Sequence, residues 1–148
     1  MRISAKGRYA FAALIEIARQ TRTGERVSVI NISEKLGISK IFLEQVVAAL
    51  KKGDIIQSTK GSKGGYQLAR EARSISALDV LLSVENTLLE KSDATVADQS
   101  PSTEAALTDK LFNPLDRVIE NCLSGVTIQD LLDYADQQNS DQAFMLYM

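Results

Sequence analysis

Apolar residues recur at the spacing of an α-helix near the start of the chain. Residues 8–20 place apolar side chains three, four and seven positions apart, at Phe11, Leu14, Ile15 and Ala18. This spacing puts them on one face of a helix. The pattern predicts a first helix that packs this face against a core.

Two short helices, joined by only three residues, are predicted next. Ser28 is typical of the residue that caps the start of a helix, and Gly37 of the residue that ends one. Ser39 then caps a second helix over residues 40–52, with an apolar face of Phe42, Leu43, Val46, Val47 and Leu50. Two short helices with so tight a connection predict a helix-turn-helix.

A β-hairpin is predicted directly after these helices. Residues 55–59 favour a strand, and a glycine-rich turn over 60–65 separates them from a second strand at 66–68. Four of the eight glycines lie between residues 53 and 65, which supports the turn. A hairpin at this place makes the arrangement a winged helix. A plain surface hairpin kept in solution by its lysines is the alternative.

More helices are predicted after residue 75. Ser76 and Asp79 have the spacing of a capping box, which predicts a helix to about residue 89. Residues 90–103 are small and polar, which indicates a loop. Thr127 has the same capping spacing and predicts a last helix that runs to about residue 137.

The helix predicted over residues 103–123 carries an apolar stripe. Its members are spaced four, three and four residues apart and are Leu111, Leu115, Val118 and Cys122. Two helices pack along a seam at this spacing. Pro114 lies inside the helix, and two alternatives stay open: a kink, or a fresh helix that Asn113 caps with Pro114 at its first position.

Charge divides the chain into two halves. Residues 1–75 contain 14 Lys and Arg against 6 Asp and Glu, whereas residues 76–148 contain 3 against 13. The basic half has the sign that binds nucleic acid phosphates; a solvated basic face without a partner is the alternative. With no apolar run of membrane-spanning length and no secretion signal at its N-terminus, the chain is expected to be cytoplasmic.

Two residue types are nearly or wholly missing, and both argue against catalysis. The chain has no histidine and one cysteine, so it lacks His-based metal sites, His general bases and His-activated nucleophiles. The glycine-rich turn lacks the spacing of a phosphate-binding loop. We predict that the chain is not an enzyme.

Three motifs, in order and at matching spacing, resemble the Rrf-type family of bacterial regulators, whose members include IscR, NsrR and CymR. They are Arg2-Ile3-Ser4-Ala5-Lys6-Gly7-Arg8-Tyr9-Ala10, the segment from Ile38-Ser39 to Leu43-Glu44-Gln45, and Lys60-Gly61-Ser62-Lys63-Gly64-Gly65-Tyr66-Gln67-Leu68. The resemblance covers residues 1–137. It implies a homodimeric winged-helix repressor whose C-terminal helices form the dimer and whose wings enter the minor groove of a palindromic DNA operator.

The predicted fold is therefore mainly α with a small β-hairpin. A winged helix-turn-helix DNA-binding domain is expected over residues 1–75. Dimerisation and sensor helices are expected over residues 76–137, with Leu111, Leu115, Val118 and Cys122 at the dimer interface. An apolar C-terminal tail follows over residues 138–148.

The resemblance also implies which residues contact DNA. Glu44 and Gln45 match the family's base-reading pair, and a carboxylate and an amide suit cytosine and adenine in the major groove; an exposed polar helix face is the alternative. The expected DNA-contacting residues are Arg2, Lys6, Arg8, Ser39, Lys40, Glu44, Gln45, Lys60, Gly61, Lys63 and Gly64.

Two positions depart from the family's DNA-contacting pattern. Ile41 stands where a polar residue is common, although an aliphatic side chain can touch a thymine methyl. Lys60 stands where the wing often has arginine, the better reader of a narrow groove. A protein-interaction module with little specific DNA binding is therefore the alternative function.

The sensor half departs further from the pattern. Cluster-binding members carry three cysteines in the loop after the fourth helix, but residues 90–103 contain none. Iron–sulfur clusters require thiolate ligands, so we expect no iron–sulfur cluster and no other cofactor. This feature makes the chain closest in character to the cluster-free cysteine-metabolism repressors.

Cys122 and the tail each leave alternatives open. Cys122 is expected to be a buried packing residue, with a redox-sensing thiol or a cross-dimer disulfide as alternatives. The tail is expected to fold back on the dimer as a strand or a plug. By resemblance, Phe144, Tyr147 and Met148 could instead contact O-acetylserine sulfhydrylase (cysteine synthase) as a signalling partner.

Overall fold

A computed structural model describes residues 3–62, 64–85, 87, 89–91 and 93–147. Seven α-helices and one two-stranded antiparallel sheet lie in these ranges, which confirms the predicted mainly α fold with a hairpin. The helices are α1 (Ala5–Thr21), α2 (Val29–Leu36), α3 (Lys40–Lys52), α4 (Ala77–Val84), α5 (Pro101–Leu107), α6 (Asn113–Ser124) and α7 (Ile128–Leu146). The strands are β1 (Ile56–Thr59) and β2 (Gly65–Leu68), and a short 3₁₀ turn spans Ala72–Ser74.

Local capping builds the helix-turn-helix as predicted. The Ser28 hydroxyl accepts a hydrogen bond from the Asn31 N–H at 3.1 Å, and the Ser39 hydroxyl accepts one from the Phe42 N–H at 3.1 Å. Gly37 ends α2 with φ of 66°, a left-handed conformation that glycine adopts without steric cost. Each helix boundary here follows from residues within four positions of it.

The hairpin forms the wing. β1 pairs with β2 so that Ile56 faces Leu68 and Thr59 faces Gly65. Val27, just before α2, adds a bridge to Tyr66, with N–H···O distances of 3.0 and 2.8 Å. The wing is therefore attached to the start of the helix-turn-helix as well as to α3.

A single hydrophobic core joins the two predicted domains. Its fully buried side chains come from α1, α2, α3, the start of β1, the turn before α4, α4 and the start of α7, and include Leu14, Ile17, Ile32, Leu43, Leu50, Ile56, Ile75, Leu81, Ile128 and Leu132. Backbone hydrogen bonds from Ala77 to Val126 (2.7 Å) and from Ile128 to Ile75 (2.9 Å) join the starts of α4 and α7. The boundary at residue 75 stays a prediction about function, because the core continues across it.

Helix α4 ends at Val84, so the predicted end near residue 89 is wrong. Glu85 has an extended backbone (φ −125°, ψ 96°). Its carboxylate accepts hydrogen bonds from the Ser4 N–H at 2.9 Å and from the Ser4 hydroxyl. A contact with a residue 81 positions away in sequence thus accompanies the end of α4, and helical periodicity contains no sign of it.

Residues 101–124 are helical throughout. A π-helical segment over Thr108–Phe112 joins α5 to α6. Asn113 has helical dihedral angles (φ −62°, ψ −45°), so the alternative in which it caps a fresh helix is wrong. Pro114 has no N–H, and its ring would clash with the carbonyl four residues earlier in a regular helix. The wider turn directly before Pro114 relieves that clash.

Helix α7 continues to Leu146 and includes most of the predicted tail. Residues 138–146 contain no glycine or proline that would stop a helix, and Phe144, Met145, Leu146 and Tyr147 are exposed. The expectation of a strand is therefore wrong for this part of the chain, whereas packing of the tail against a second copy stays a prediction; Met148 lies outside the described residues. None of the described helices combines the length and the apolar character needed to cross a membrane.

Candidate nucleic-acid interface

Helix α3 has one buried face and one exposed face. Leu43, Val46, Val47 and Leu50 are buried in the core, while Ser39, Lys40, Glu44 and Gln45 are exposed. Phe42 packs edge-on against Tyr9 of α1, with ring centroids 5.2 Å apart. The core and this aromatic pair hold α3 so that its first two turns present polar side chains to the surroundings.

Polar groups on this face have the chemistry of DNA readout. Lys40 Nζ lies 3.9 Å from a Glu44 carboxylate oxygen, and both side chains are more than half exposed. A solvent-exposed pair of this kind contributes at most about 1 kcal/mol, so either group can exchange it for an interaction with DNA. Glu44 can accept from cytosine N4, Gln45 can pair with adenine, and Lys40 can reach phosphate.

The structure separates Lys6 from the first turn of α3. Lys6 is half-buried and lines a cleft with Ala49, Lys52 and Gly53 at the C-terminal end of α3. That end is about 18 Å along the helix axis from Lys40. Arg8 is exposed on α1, and Arg2 lies outside the described residues. Among the described basic side chains that were predicted to bind DNA, Lys6 and Lys40 therefore lie at opposite ends of α3.

The wing tip carries Lys60 and Gly61, both exposed. Gly64 is half-buried, and a Cβ atom there would lie 2.2 Å from the Thr59 carbonyl oxygen. The turn itself therefore requires glycine at this position, whether or not Gly64 touches DNA. Lys63, also predicted to contact DNA, lies outside the described residues.

A cleft of about 540 Å³ beside the wing contains residues that the sequence analysis missed. Arg26, Ser28 and Asn31 at the start of α2 line it, together with Ser62 and Gly64 from the wing. The first helix of a helix-turn-helix crosses the DNA backbone, so these side chains can bind phosphate. The available signal was an arginine two residues before a capped helix.

A cluster of ion pairs around one buried carboxylate ties α1 and α2 to α7. The Glu16 carboxylate on α1, only 7% exposed, lies 2.5 Å from Arg19 and 2.6 Å from Lys35 of α2. Arg19 also donates to Asp136 of α7 at 2.9 Å. That hydrogen bond lowers the pKa of Asp136, and the charges of Arg19 and Arg22 lower it further. No local pattern could have linked positions so far apart in sequence.

The stripe predicted for dimerisation is exposed in the single chain. Leu111 is 52% exposed and Val118 65%, and Leu115 and Cys122 are exposed too. Within one chain, therefore, Cys122 is not the buried packing residue that was expected. Phe112, which the sequence analysis missed, adds a further exposed apolar side chain beside the stripe.

The residues present do not fit a thiolate-ligated cluster. The segment between α4 and α5 contains no cysteine, and Cys122 lies on α6. Within the ranges that the structure describes, no three His, Cys, Asp or Glu side chains are grouped as metal ligands. Instead, the Glu104 carboxylate accepts hydrogen bonds from the N–H groups of Thr95 (3.2 Å) and Val96 (3.0 Å) and so holds part of this segment to α5.

Comparison with known proteins bears on this arrangement. The family described as Rrf2, Iron-dependent Transcriptional regulator, matches residues 3–134. The HTH-type transcriptional regulator IscR of Yersinia pestis is 34% identical over 150 residues, which cover 95% of this chain and 88% of that protein.

Two solved structures are similar as well. CymR, the global cysteine regulator of B. subtilis, superposes with a TM-score of 0.75 at 27% identity and covers 90% of this chain and 98% of its own. T. potens IscR has a TM-score of 0.72 at 31% identity and covers 93% and 90%. The chain is a DNA-binding regulator and not an enzyme, and it belongs to the Rrf2 family of transcriptional regulators.

Proposed function

We propose that this regulator is a homodimeric, sequence-specific repressor that acts in the cytoplasm. One observation carries the proposal: the chain exposes a polar face on α3 and an apolar stripe on α6 and the π-helical segment before it. The polar face suits DNA, and the stripe suits a second copy. Binding to an operator with two half-sites needs both surfaces, one to contact DNA and one to form the dimer.

Pairing of two stripes supports recognition of a palindrome. A symmetric dimer uses the same patch on both copies, so Leu111, Leu115, Val118 and Cys122 would meet their equivalents. Two recognition helices related by a twofold axis then read two inverted half-sites. In each half-site, Glu44 and Gln45 would bind base edges, and the wing and the start of α2 would bind the DNA backbone.

Salt dependence separates this proposal from the alternative, a protein-interaction module with little specific DNA binding. Selection from random duplexes supplies a preferred sequence, and its affinity is then measured across a salt series. For a DNA regulator, log affinity falls with log salt by about 0.9 for each phosphate that the protein neutralises. Lys60→Ala should flatten this slope by about 1 and weaken binding to all sequences alike, because one phosphate then keeps its counterions.

Lys91→Ala is the matched control for Lys60→Ala. Lys91 is also an exposed lysine, but it lies in the segment between α4 and α5, so its removal should leave the slope unchanged. Equal slopes for both variants would contradict phosphate binding by the wing. Failure to select any sequence would favour the interaction module.

We further propose that repression operates without an iron–sulfur cluster. The single cysteine and the lack of histidine support this, because such clusters need thiolate ligands and a family member can only hold one where they are present. Protein purified anaerobically and supplied with iron and sulfide should stay colourless. A stoichiometric brown chromophore would overturn the proposal.

Control of cysteine or sulfur genes is the finer proposal for the biological role. Its support is the likeness to CymR, a global cysteine regulator. Mapping of bound sites across the native genome tests it: sites beside sulfur genes agree with the proposal, and sites confined to unrelated genes contradict it.

Cysteine synthase is the partner proposed for the C-terminal end. The support is the exposed apolar end of α7, with Phe144 and Tyr147 available for binding. The enzyme should co-elute with the regulator at micromolar concentration without O-acetylserine and strengthen operator binding. Deletion of residues 144–148 should abolish that enhancement and leave basal DNA binding intact. No co-elution would remove this partner, and a deletion that breaks the dimer would make the tail structural.

A further inference from the structure

Among the large apolar side chains that the structure describes between residues 3 and 144, Ile41 is the most exposed, at 74%. Single exposed apolar residues are common on protein surfaces, so exposure alone does not indicate a function. The position of Ile41 on the recognition helix does indicate one. Ile41 is the second residue of α3, in the turn of a recognition helix that approaches base edges most closely.

Helical geometry places Ile41 on the same face as the two base-reading residues. Ile41, Glu44, Gln45 and Ala48 stand at i, i+3, i+4 and i+7 and are all exposed, whereas Leu43 and Val46 on the opposite side are buried. Any docking that brings Glu44 and Gln45 to base edges therefore brings Ile41 to them as well.

The surroundings of Ile41 decide what it can contact. Lys40 and Glu44 flank it as an ion pair, and Gln45 follows, so Ile41 is one apolar side chain among charged and amide groups. A protein partner would need a broader apolar patch. The major groove offers a single apolar feature, the C5 methyl group of thymine, set among hydrogen-bonding groups.

We propose that Ile41 is a specificity-determining residue that reads the C5 methyl group of a pyrimidine in the major groove. This inference rests on DNA binding through α3. Thymine is the ordinary ligand, and 5-methylcytosine carries the same methyl group at the same ring position. Uracil and unmodified cytosine lack it and would be disfavoured at this position.

Uracil substitution tests the proposal because it removes only the methyl group. A preferred duplex is selected from random sequences, and each thymine of both half-sites is replaced in turn by uracil. Symmetric replacement at one step should weaken binding about fourfold per half-site, which corresponds to about 0.8 kcal/mol for one buried methyl group. When the methyl-sensitive T·A pair is changed to a C·G pair, the protein should bind the duplex with 5-methylcytosine more tightly than the duplex with cytosine, by a similar factor.

Variants assign the effect to Ile41. Ile41→Ala should bind thymine and uracil duplexes equally, and Ile41→Val, which keeps a branched aliphatic side chain, should retain most of the discrimination. Ile30→Ala is the matched control, because Ile30 is also an exposed isoleucine but lies on α2; its uracil sensitivity should equal that of the wild type. The Ile41 side chain is outside the core, so circular dichroism should show all variants folded.

Each outcome has one meaning. A thymine step that is methyl-sensitive in the wild type and insensitive in Ile41→Ala supports the proposal. A preferred operator without any methyl-sensitive step, or sensitivity retained in Ile41→Ala, overturns it while DNA binding stands. If no preferred operator can be selected, the DNA-binding function itself fails and the inference falls with it.

Discussion

On α3 the apolar residues Leu43, Val46 and Leu50 are buried and the exposed residues are mostly polar, whereas on α6 the apolar residues Leu115 and Val118 are themselves exposed. The same contrast holds for the charges, since the first half is basic and the second acidic. In the first half the apolar side chains of α3 are covered within the chain, and the exposed surface carries basic groups. In the second half the apolar stripe of α6 is exposed in the single chain.

Two sets of polar interactions join these unlike regions. The cluster of Glu16, Arg19 and Lys35 reaches Asp136 of α7, and Glu85 at the end of α4 binds Ser4 at the start of α1. α7 itself changes character along its length, because Leu132 is buried in the core and Leu146 is exposed. Within the acidic half, α7 therefore has a start that belongs to the shared core and an end that is exposed.

The largest expected effect comes from a charge placed in the exposed stripe. Leu111→Asp should convert the dimer into a monomer, because burying a carboxylate in the interface costs several kcal/mol for each of the two copies. Light scattering coupled to gel filtration measures the mass, and affinity for a palindromic duplex should fall with it. The variant should still fold, since Leu111 is exposed in the single chain.

Leu82→Asp is the matched control for this charge. Leu82 is similarly exposed but lies on α4, so its variant should stay dimeric. Two dimeric variants would show that the stripe is not the interface, and the contrast between the two halves would lose its functional meaning.

A core deletion tests where the shared core ends along α7. Leu132→Ala should lower the free energy of unfolding by about 2–5 kcal/mol, the usual cost of truncating a buried leucine. Leu146→Ala, the same change fourteen residues later on α7 at an exposed site, should change it little. Urea unfolding measures both, and equal losses would contradict the division of α7 into a core part and an exposed part.

Base readout should be affected less than assembly. Glu44→Ala and Gln45→Ala should each cost about 1–3 kcal/mol for the preferred operator and relax base preference at one position. Competition assays with single base changes measure this loss. If Glu44 and Gln45 do not contact bases, both variants will keep the base preference of the wild type. That result would refute the assignment of α3 as the recognition helix.

The smallest effect concerns stability in acid, where Asp136 of α7 pairs with Arg19 of α1. Because the folded-state pKa of Asp136 is lowered, its contribution to stability is present above the unfolded pKa, near 3.8, and is lost as pH falls through the folded value. Urea unfolding from pH 6 to about pH 3 should show a shallower acid loss for Asp136→Asn than for the wild type. Asp141→Asn, at an exposed position on the same helix, should follow the wild type.

Much of the fold could be predicted from local sequence. The caps Ser28, Ser39 and Thr127 and the terminator Gly37 were assigned correctly, because a cap bonds to a residue three positions away and the glycine conformation depends on its own φ. The polar face of α3 was also predictable, since helical periodicity separates it from the apolar face. These features depend on interactions within about one helical turn.

Only the tertiary structure decided the remainder. The end of α4 at Val84 accompanies a hydrogen bond that the Ser4 N–H donates to Glu85. The buried Glu16 pairs with Lys35 of α2 and with Arg19, which also binds Asp136 of α7. Such contacts join residues whose separation in sequence carries no periodic signal. The sequence by itself determined where the capped helices α2, α3, α4 and α7 begin and which face of α3 is polar. The structure decided which apolar faces find a partner within the chain, because burial depends on how the helices pack together.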